Sequence, residues 1–234
     1  MSNHQDRFTG ADMEKGREHF NGIENEYERM IVQIVPSFRD FFGSVLSLIP
    51  GGPVRLLELG SGTGFVTAML RAQNNEAEIT CIDLSPGMLE VAKKKPELSG
   101  VEFITGDFRE AWGMGRYDVV LTTLCLHHLP DEDRAQVLKK ISHSLNDGGI
   151  FINGDVFAAE SDKEELLNMT WWYNAMLQNG FSDDEADAMI QKRTDNAAYL
   201  DTVSGYAEKL EAAGFGTIIN PYKNRIYSTF AGFK

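Results

Sequence analysis

The residues with the clearest chemical spacing are Glu58-Leu59-Gly60-Ser61-Gly62-Thr63-Gly64-Phe65, where a short apolar run passes into glycines at alternate positions. Without a Cβ, Gly60, Gly62 and Gly64 let the backbone turn tightly and let a flat ligand lie against the peptide groups. A dinucleotide loop reads G-x-G-x-x-G or A. Counted from Gly60, its last position falls on Phe65, too large for that close packing. A triphosphate-binding loop needs lysine and then serine or threonine after its glycines, and this loop has neither in place. What remains is a cradle for an extended nucleoside ligand. Asp83 closes the apolar run Ile79–Asp83, near the ~20-residue separation at which a carboxylate reaches both hydroxyls of a ribose. An anion there accepts two hydrogen bonds better than a neutral group does.

A second group worth weighing is Thr122-Thr123-Leu124-Cys125-Leu126-His127-His128-Leu129-Pro130. Either His127 or His128 could take a proton from a hydroxyl or thiol, or both could simply shape the loop. No set of cysteine, histidine and carboxylate at ligand spacing accompanies them, so no metal is expected. Cys81 and Cys125 lie in apolar runs and read as core thiols rather than a disulfide or redox pair.

These residues need a scaffold, and the chain's periodicity supplies one. Apolar positions from Tyr27 to Ile49 recur at three and four residues, a helical pattern that Pro36 should start or kink. After Pro50-Gly51-Gly52-Pro53, short apolar runs alternate with helical stretches. The runs are Val54–Leu59, Ile79–Asp83, Val101–Thr105, Tyr117–Thr122 and Ile150–Asn153; the helices are Phe65–Gln73, Pro86–Lys95 and Glu132–Leu145. That alternation predicts a parallel sheet covered on both faces. Ser161 to Ala198 reads as two helices rich in Trp171, Trp172, Tyr173, Met169, Met176 and Met189, whose aromatic residues either enclose a substrate or pack a lid or subunit interface. A helix, Val203–Ala213, and two strands, Phe215–Ile219 and Ile226–Phe233, close the chain.

The 234 residues suit one domain: a helical segment over 1–49, a ligand-binding core over 50–160, a helical cap over 161–198 and a closing helix and strands over 199–234. A net charge of −13 with no basic block beyond Lys93-Lys94-Lys95 disfavours nucleic acid as a partner. No run approaches the ~20 apolar residues that cross a bilayer, and Met1 to Gly22 is polar and acidic. The expectation is a cytoplasmic protein with no membrane partner, acting on a small molecule.

The acid followed by G-x-G-x-G at Glu58–Gly64 resembles the first motif of class I S-adenosylmethionine (SAM)-dependent methyltransferases, and the likeness runs from about Leu56 to Asn153. It implies an α/β fold with a doubly wound, seven-stranded, mostly parallel sheet, one strand reversed near the C-terminal end, and a helical cap. The implied cofactor is SAM, with S-adenosylhomocysteine as product. Gly60, Ser61, Gly62 and Gly64 would then hold the methionine part, and Glu58 its ammonium group, directly or through water, or else Glu58 braces the loop. Thr105-Gly106-Asp107-Phe108 resembles the family's G-D-x segment, so Asp107 would accept from the adenine amino group with Phe108 beside it. Leu84 and Met88 either sandwich the adenine or belong to the core. Leu124 would line the cofactor, and His127 or His128 would stand beside the methyl group.

The flanks resemble one subgroup, the carboxy-SAM synthases of transfer-RNA wobble-uridine modification and their relatives. The matching segments are Ile34-Val35-Pro36-Ser37-Phe38, Leu167-Asn168-Met169, Asn179-Gly180-Phe181-Ser182, Gln191-Lys192-Arg193, Leu200-Asp201-Thr202-Val203 and Ala213-Gly214-Phe215. By that likeness Arg193 would pair with the extra carboxylate of the modified cofactor from a neighbouring subunit, in a homodimer; otherwise it is a surface charge. The synthases carry cysteine and serine-leucine between their glycines, where this chain has Ser61 and Thr63. Methyl transfer to a small acceptor is therefore the first expectation, carboxy-SAM chemistry the second, and a non-catalytic SAM-binding protein the third.

Overall fold

The computed structural model describes residues 26–110, 112 and 115–234. The part of the expected helical segment that precedes residue 26 lies outside the described residues.

The helical pattern that starts at Tyr27 divides in two, α1 (Tyr27–Ile34) and α2 (Phe38–Leu46). Pro36 cannot donate to an ongoing helix, and Ser37 beside it takes the left-handed conformation at φ 56°, so the break is sharp. The alternating region forms β1 (Arg55–Leu59), α3 (Phe65–Gln73), β2 (Glu78–Asp83), α4 (Pro86–Lys93), β3 (Glu102–Thr105), β4 (Tyr117–Thr123), α5 (Asp131–Ser144) and β5 (Leu145–Val156). α6 (Asp162–Gln178), α7 (Asp183–Asp195), α8 (Val203–Ala212), β6 (Thr217–Asn224) and β7 (Tyr227–Phe233) complete the described residues.

The sheet order is β3-β2-β1-β4-β5-β7-β6, with β1 to β5 parallel and β7 antiparallel to both neighbours. This is the seven-stranded, mostly parallel α/β fold with one reversed strand near the C-terminus. Successive residues of the central strands face opposite layers. Leu56, Val119, Leu121, Ile150 and Ile152 join the layer of α1, α2, α3 and α6, whereas Leu57, Leu59, Val120 and Phe151 join that of α5 and α8. Burial on both faces explains why these runs lack polar alternation.

Two strands extend beyond their expected bounds. β5 begins at Leu145 rather than Ile150 because Gly148 and Gly149 are carried through a register shift opposite Tyr117 and Val119. β6 begins later and runs to Asn224, because a shift between Ile219 and Tyr222 accommodates Pro221 and lets the ladder with β7 resume. The cap helices α6 and α7 pack on the N-terminal layer. Trp172 Nε1 and the Tyr227 hydroxyl both donate to the Ile34 carbonyl at 2.8 Å, and Asn179 Nδ2 donates to the Gln33 carbonyl at 2.8 Å. Those bonds satisfy carbonyls that the end of α1 leaves open.

Candidate functional site

Strand order reverses between β1, whose crossovers lead to β2 and β3, and β4 on its other side, and a crevice at such a point is where open α/β sheets take ligands. A narrow cleft opens there, lined by Gly60, Ser61 and Gly62 after β1, by Thr123 and Leu124 after β4, and by Tyr27, Ile31, Phe42, Phe65 and Val66.

The glycine loop has the conformation its sequence requires. Gly60, Gly62 and Gly64 stand at φ 69°, 54° and 71°, a region that side-chain-bearing residues enter only at a cost of roughly 1–2 kcal/mol each. A Cβ on Gly60 would lie 2.2 Å from Cys125 Sγ, and one on Gly64 2.5 Å from Leu98 Cδ1; at Gly62 the nearest atom is Tyr27 Cε1 at 3.9 Å. Gly60 and Gly64 are thus glycine for packing, and Gly62 keeps bare backbone open to the cleft.

Asp83 holds this loop from the neighbouring strand. Its Oδ2 accepts from the Gly62 N–H at 2.7 Å and its Oδ1 from the Ser85 N–H at 2.8 Å, leaving each oxygen another lone pair. Burial pushes the carboxyl up from its ordinary value, and these two N–H donors pull it back. Ser85 then caps α4 by accepting from the Met88 N–H, the start that Ser85-Pro86 forecast. Leu84 is half-buried beside Asp83.

Glu58 is 1% exposed and lies beneath the loop, accepting from the Thr67 hydroxyl at 2.6 Å, so direct contact with a ligand's ammonium group is corrected to a bracing role. The physical reason is its direction: it faces α3 and Cys81, and desolvation pushes its carboxyl up to about 7. A native state that holds this proton more tightly than the unfolded chain loses stability as pH rises from about 4.5 to about 7. Glu58→Gln keeps an acceptor for Thr67 and removes the charge. Its melting temperature should match the wild type in acid and exceed it above neutrality, and parallel melting curves across that range would contradict the burial effect.

Other expected residues are scattered. Met88 is buried, the core placement that the sequence left open beside an adenine contact, and Phe108 packs with Leu129 and Phe157. Asp107 is half-buried and engaged by Arg109, whose Nη2 donates to it at 2.7 Å; the same arginine reaches Asp133. Arg193 is held within the cap. It is 8% exposed, donating from Nε to Glu165 at 2.9 Å and from Nη2 to the Phe157 carbonyl at 2.8 Å, contacts that compensate the burial of its charge. Trp172 and Met176 pack in the core, and Tyr173 donates to Asp183 at the surface.

The histidines separate. His127 Nδ1 lies 2.6 Å from Asp155 Oδ1, and the His127 N–H donates to Oδ2 at 3.2 Å; the His128 ring stands 3.9 Å away and is more exposed. Leu124, just before them, is held at φ 48° with its N–H donating to the Gly154 carbonyl at 2.8 Å. Such a conformation costs about 1–3 kcal/mol and tends to occur where a chain is bent for function.

Three residues went unnoticed in the sequence. Tyr27 closes the cleft over Gly62, and burial, with Cys125, Asp83 and Asp155 nearby, raises its hydroxyl well above the usual range. Glu28 accepts from the Thr63 hydroxyl at 2.7 Å and from Lys95 Nζ at 2.5 Å, so α1 is tied to the glycine loop and to the end of α4. Asp155 is the third. The signal for Tyr27 was its place at the start of the amphipathic pattern; that for Asp155 was its place at the carboxyl end of a strand.

Comparison with known proteins bears on the same region. The family model for a methyltransferase domain matches residues 56–149, which hold the loop, Asp83 and the β4 turn. Over these residues the chain matches a methyltransferase domain. The chain is 24% identical to a carboxy-S-adenosyl-L-methionine synthase of Nautilia profundicola, over 98% of this chain and 100% of that protein. It is 28% identical to an uncharacterised methyltransferase of Staphylococcus carnosus over 66% of this chain and 68% of that one. Among solved structures it shares its fold with a SAM-dependent methyltransferase, possible histamine N-methyltransferase, of Thermotoga maritima (TM-score 0.63, 18% identity, 93% and 99% coverage). The same holds for the DhpI–SAM–HEP complex (TM-score 0.67, 18% identity, 97% and 99% coverage). Among the described residues no helix is long and apolar enough to cross a membrane.

Proposed function

We propose that this methyltransferase binds SAM across the carboxyl ends of β1 and β2 and passes its methyl group to a small-molecule acceptor. The carrying observation is the left-handed glycine loop with Asp83 bonded to Gly62 and a carboxylate lone pair left on each oxygen. Residues present fit the cofactor. Gly60, Ser61 and Gly62 offer backbone to its methionine part, Asp83 suits the ribose hydroxyls, Leu84 lies next along the chain, and Asp107 retains acceptor capacity for an adenine amino group. Bound SAM supplies an electrophilic methyl on a sulfonium. The protein's share is placement: Leu124 and Tyr27 narrow the cleft beside Gly60 and Gly62, and holding two reactants in line can supply ~7–11 kcal/mol of the barrier reduction. The surface charge of −13 supports a small acceptor over a nucleic acid.

Carboxy-SAM chemistry is the second reading, favoured by relatives that carry that name along nearly the whole chain. Against it stands Arg193, whose guanidinium is already matched by Glu165 and Phe157. A mass spectrum of the ligand retained through native purification should show SAM or S-adenosylhomocysteine. A species heavier by one carboxyl group would reverse the order of the two readings, and label from methyl-labelled SAM found in no acceptor would favour the non-catalytic alternative.

A further inference from the structure

Asp155 is fixed more firmly than a loop carboxylate needs to be. It is 2% exposed at the carboxyl end of β5, its Oδ1 accepts from the Val156 N–H at 2.9 Å, and both oxygens meet His127, one through the ring and one through the backbone N–H. An ionised carboxylate only accepts, so neutral His127 carries its proton on Nδ1 and leaves Nε2 as a free base. The ring keeps a partly exposed edge, its side chain being 19% accessible, three residues after the cleft-lining Leu124. Around it stand His128 on its own turn, Cys125 before it, Tyr27 from α1 and, behind Asp155, Tyr206 from α8.

We infer that His127, positioned by Asp155, is the general base of this site and that the acceptor is consequently a small molecule presenting a weakly acidic hydroxyl, phenolic or enolic. This deepens the proposed methyl transfer and rests on it. A neutral amine attacks with its own lone pair, and a thiol ionises readily by itself; a hydroxyl gains most from a base placed beside it. The hydroxyl oxygen forms the new bond to the methyl carbon as the S–CH3 bond breaks with its electron pair on sulfur. The hydroxyl proton passes to His127 Nε2 and then to solvent. The products are a methyl ether and the neutral thioether S-adenosylhomocysteine. The aromatic lining of Tyr27, Phe42 and Phe65 suits a planar body for such an acceptor.

The test has two arms on the full chain. First, SAM and S-adenosylhomocysteine affinities are measured by titration calorimetry for the wild type, His127→Ala and Asp155→Asn. Failure of the wild type to bind would sink the proposed function itself, whereas binding within about twofold across the three isolates the base. Nitrogen-15 spectra of the histidines, with S-adenosylhomocysteine bound, should then show His127 protonated on Nδ1 in the wild type and redistributed in Asp155→Asn; an Nε2-protonated ring in the wild type overturns the inference. Second, transfer from methyl-labelled SAM is followed to phenol, catechol and 4-hydroxybenzoate beside aniline and benzylamine. O-methyl products are expected, with both variants slowed about a hundredfold near neutrality and recovering as the hydroxyl ionises in alkali. N-methyl products, no product from any of the hydroxyl acceptors, or wild-type rates in His127→Ala would each overturn it.

Discussion

Asp83→Ala should weaken SAM binding by more than tenfold. Hydrogen bonds to a charged acceptor contribute about 1.5–3 kcal/mol apiece, and 1.4 kcal/mol is already a factor of ten. The carboxylate also braces the loop through Gly62 and Ser85, so the variant loses two donors' partner as well as a ligand contact. The two effects part when the ligand is changed instead of the protein. S-adenosylhomocysteine lacking its ribose 2′-hydroxyl should bind the wild type poorly, and Asp83→Ala should scarcely distinguish it from the intact compound. Calorimetry showing full affinity in Asp83→Ala, or an undiminished preference for the hydroxyl, would remove Asp83 from the ribose site.

Among the described glycines, Gly60→Ala should make the closest collision. Its left-handed φ costs roughly 1–2 kcal/mol and its Cβ would sit 2.2 Å from Cys125 Sγ, a collision of the kind that costs about 1–3 kcal/mol more. For a chain of this size the melting temperature should fall by on the order of 10 °C, and SAM affinity should fall with it because the loop must move. Pairing Gly60→Ala with Cys125→Ala relieves the collision and leaves the strain, so stability should return only in part. In Gly62→Ala the new Cβ meets only Tyr27 Cε1 at 3.9 Å, an ordinary contact, and the variant should spare the fold more than it spares ligand binding. A Gly60→Ala protein with wild-type melting and affinity would show that the loop does not hold this shape.

Much of the architecture was legible because it follows from near neighbours along the chain. Apolar runs followed by helical periodicity predicted β1 to β5 and the helices between them, and Phe65–Gln73 was found with those bounds. Misreadings came where tertiary pairing overrode a local signal. The expected runs Ile150–Asn153 and Phe215–Ile219 excluded Gly148-Gly149 and Asn220-Pro221, but the partner strands carry the ladder past both. In the site, Gly60, Ser61, Gly62, Asp83 and Leu124 were found from motif and spacing, and the structure brings all five to the cleft or its edge. Glu58 and Met88 were read from the same motifs, but turn into the protein.

What the amino-acid order determined alone is the kind of turn and the kind of sheet: glycines that must take positive φ, and apolar runs that must be buried on two faces. These are properties of a few consecutive residues. Only the folded chain decided which distant groups meet. Asp155 reaches His127 because β5 lies beside β4 with Gly154 opposite Thr123, Glu28 reaches Thr63 because α1 packs over the loop, and Arg193 finds Glu165 because α7 turns back on α6. Strand order, register and helix crossing are set by the burial of the whole apolar surface at once, and no short stretch of residues contains that information.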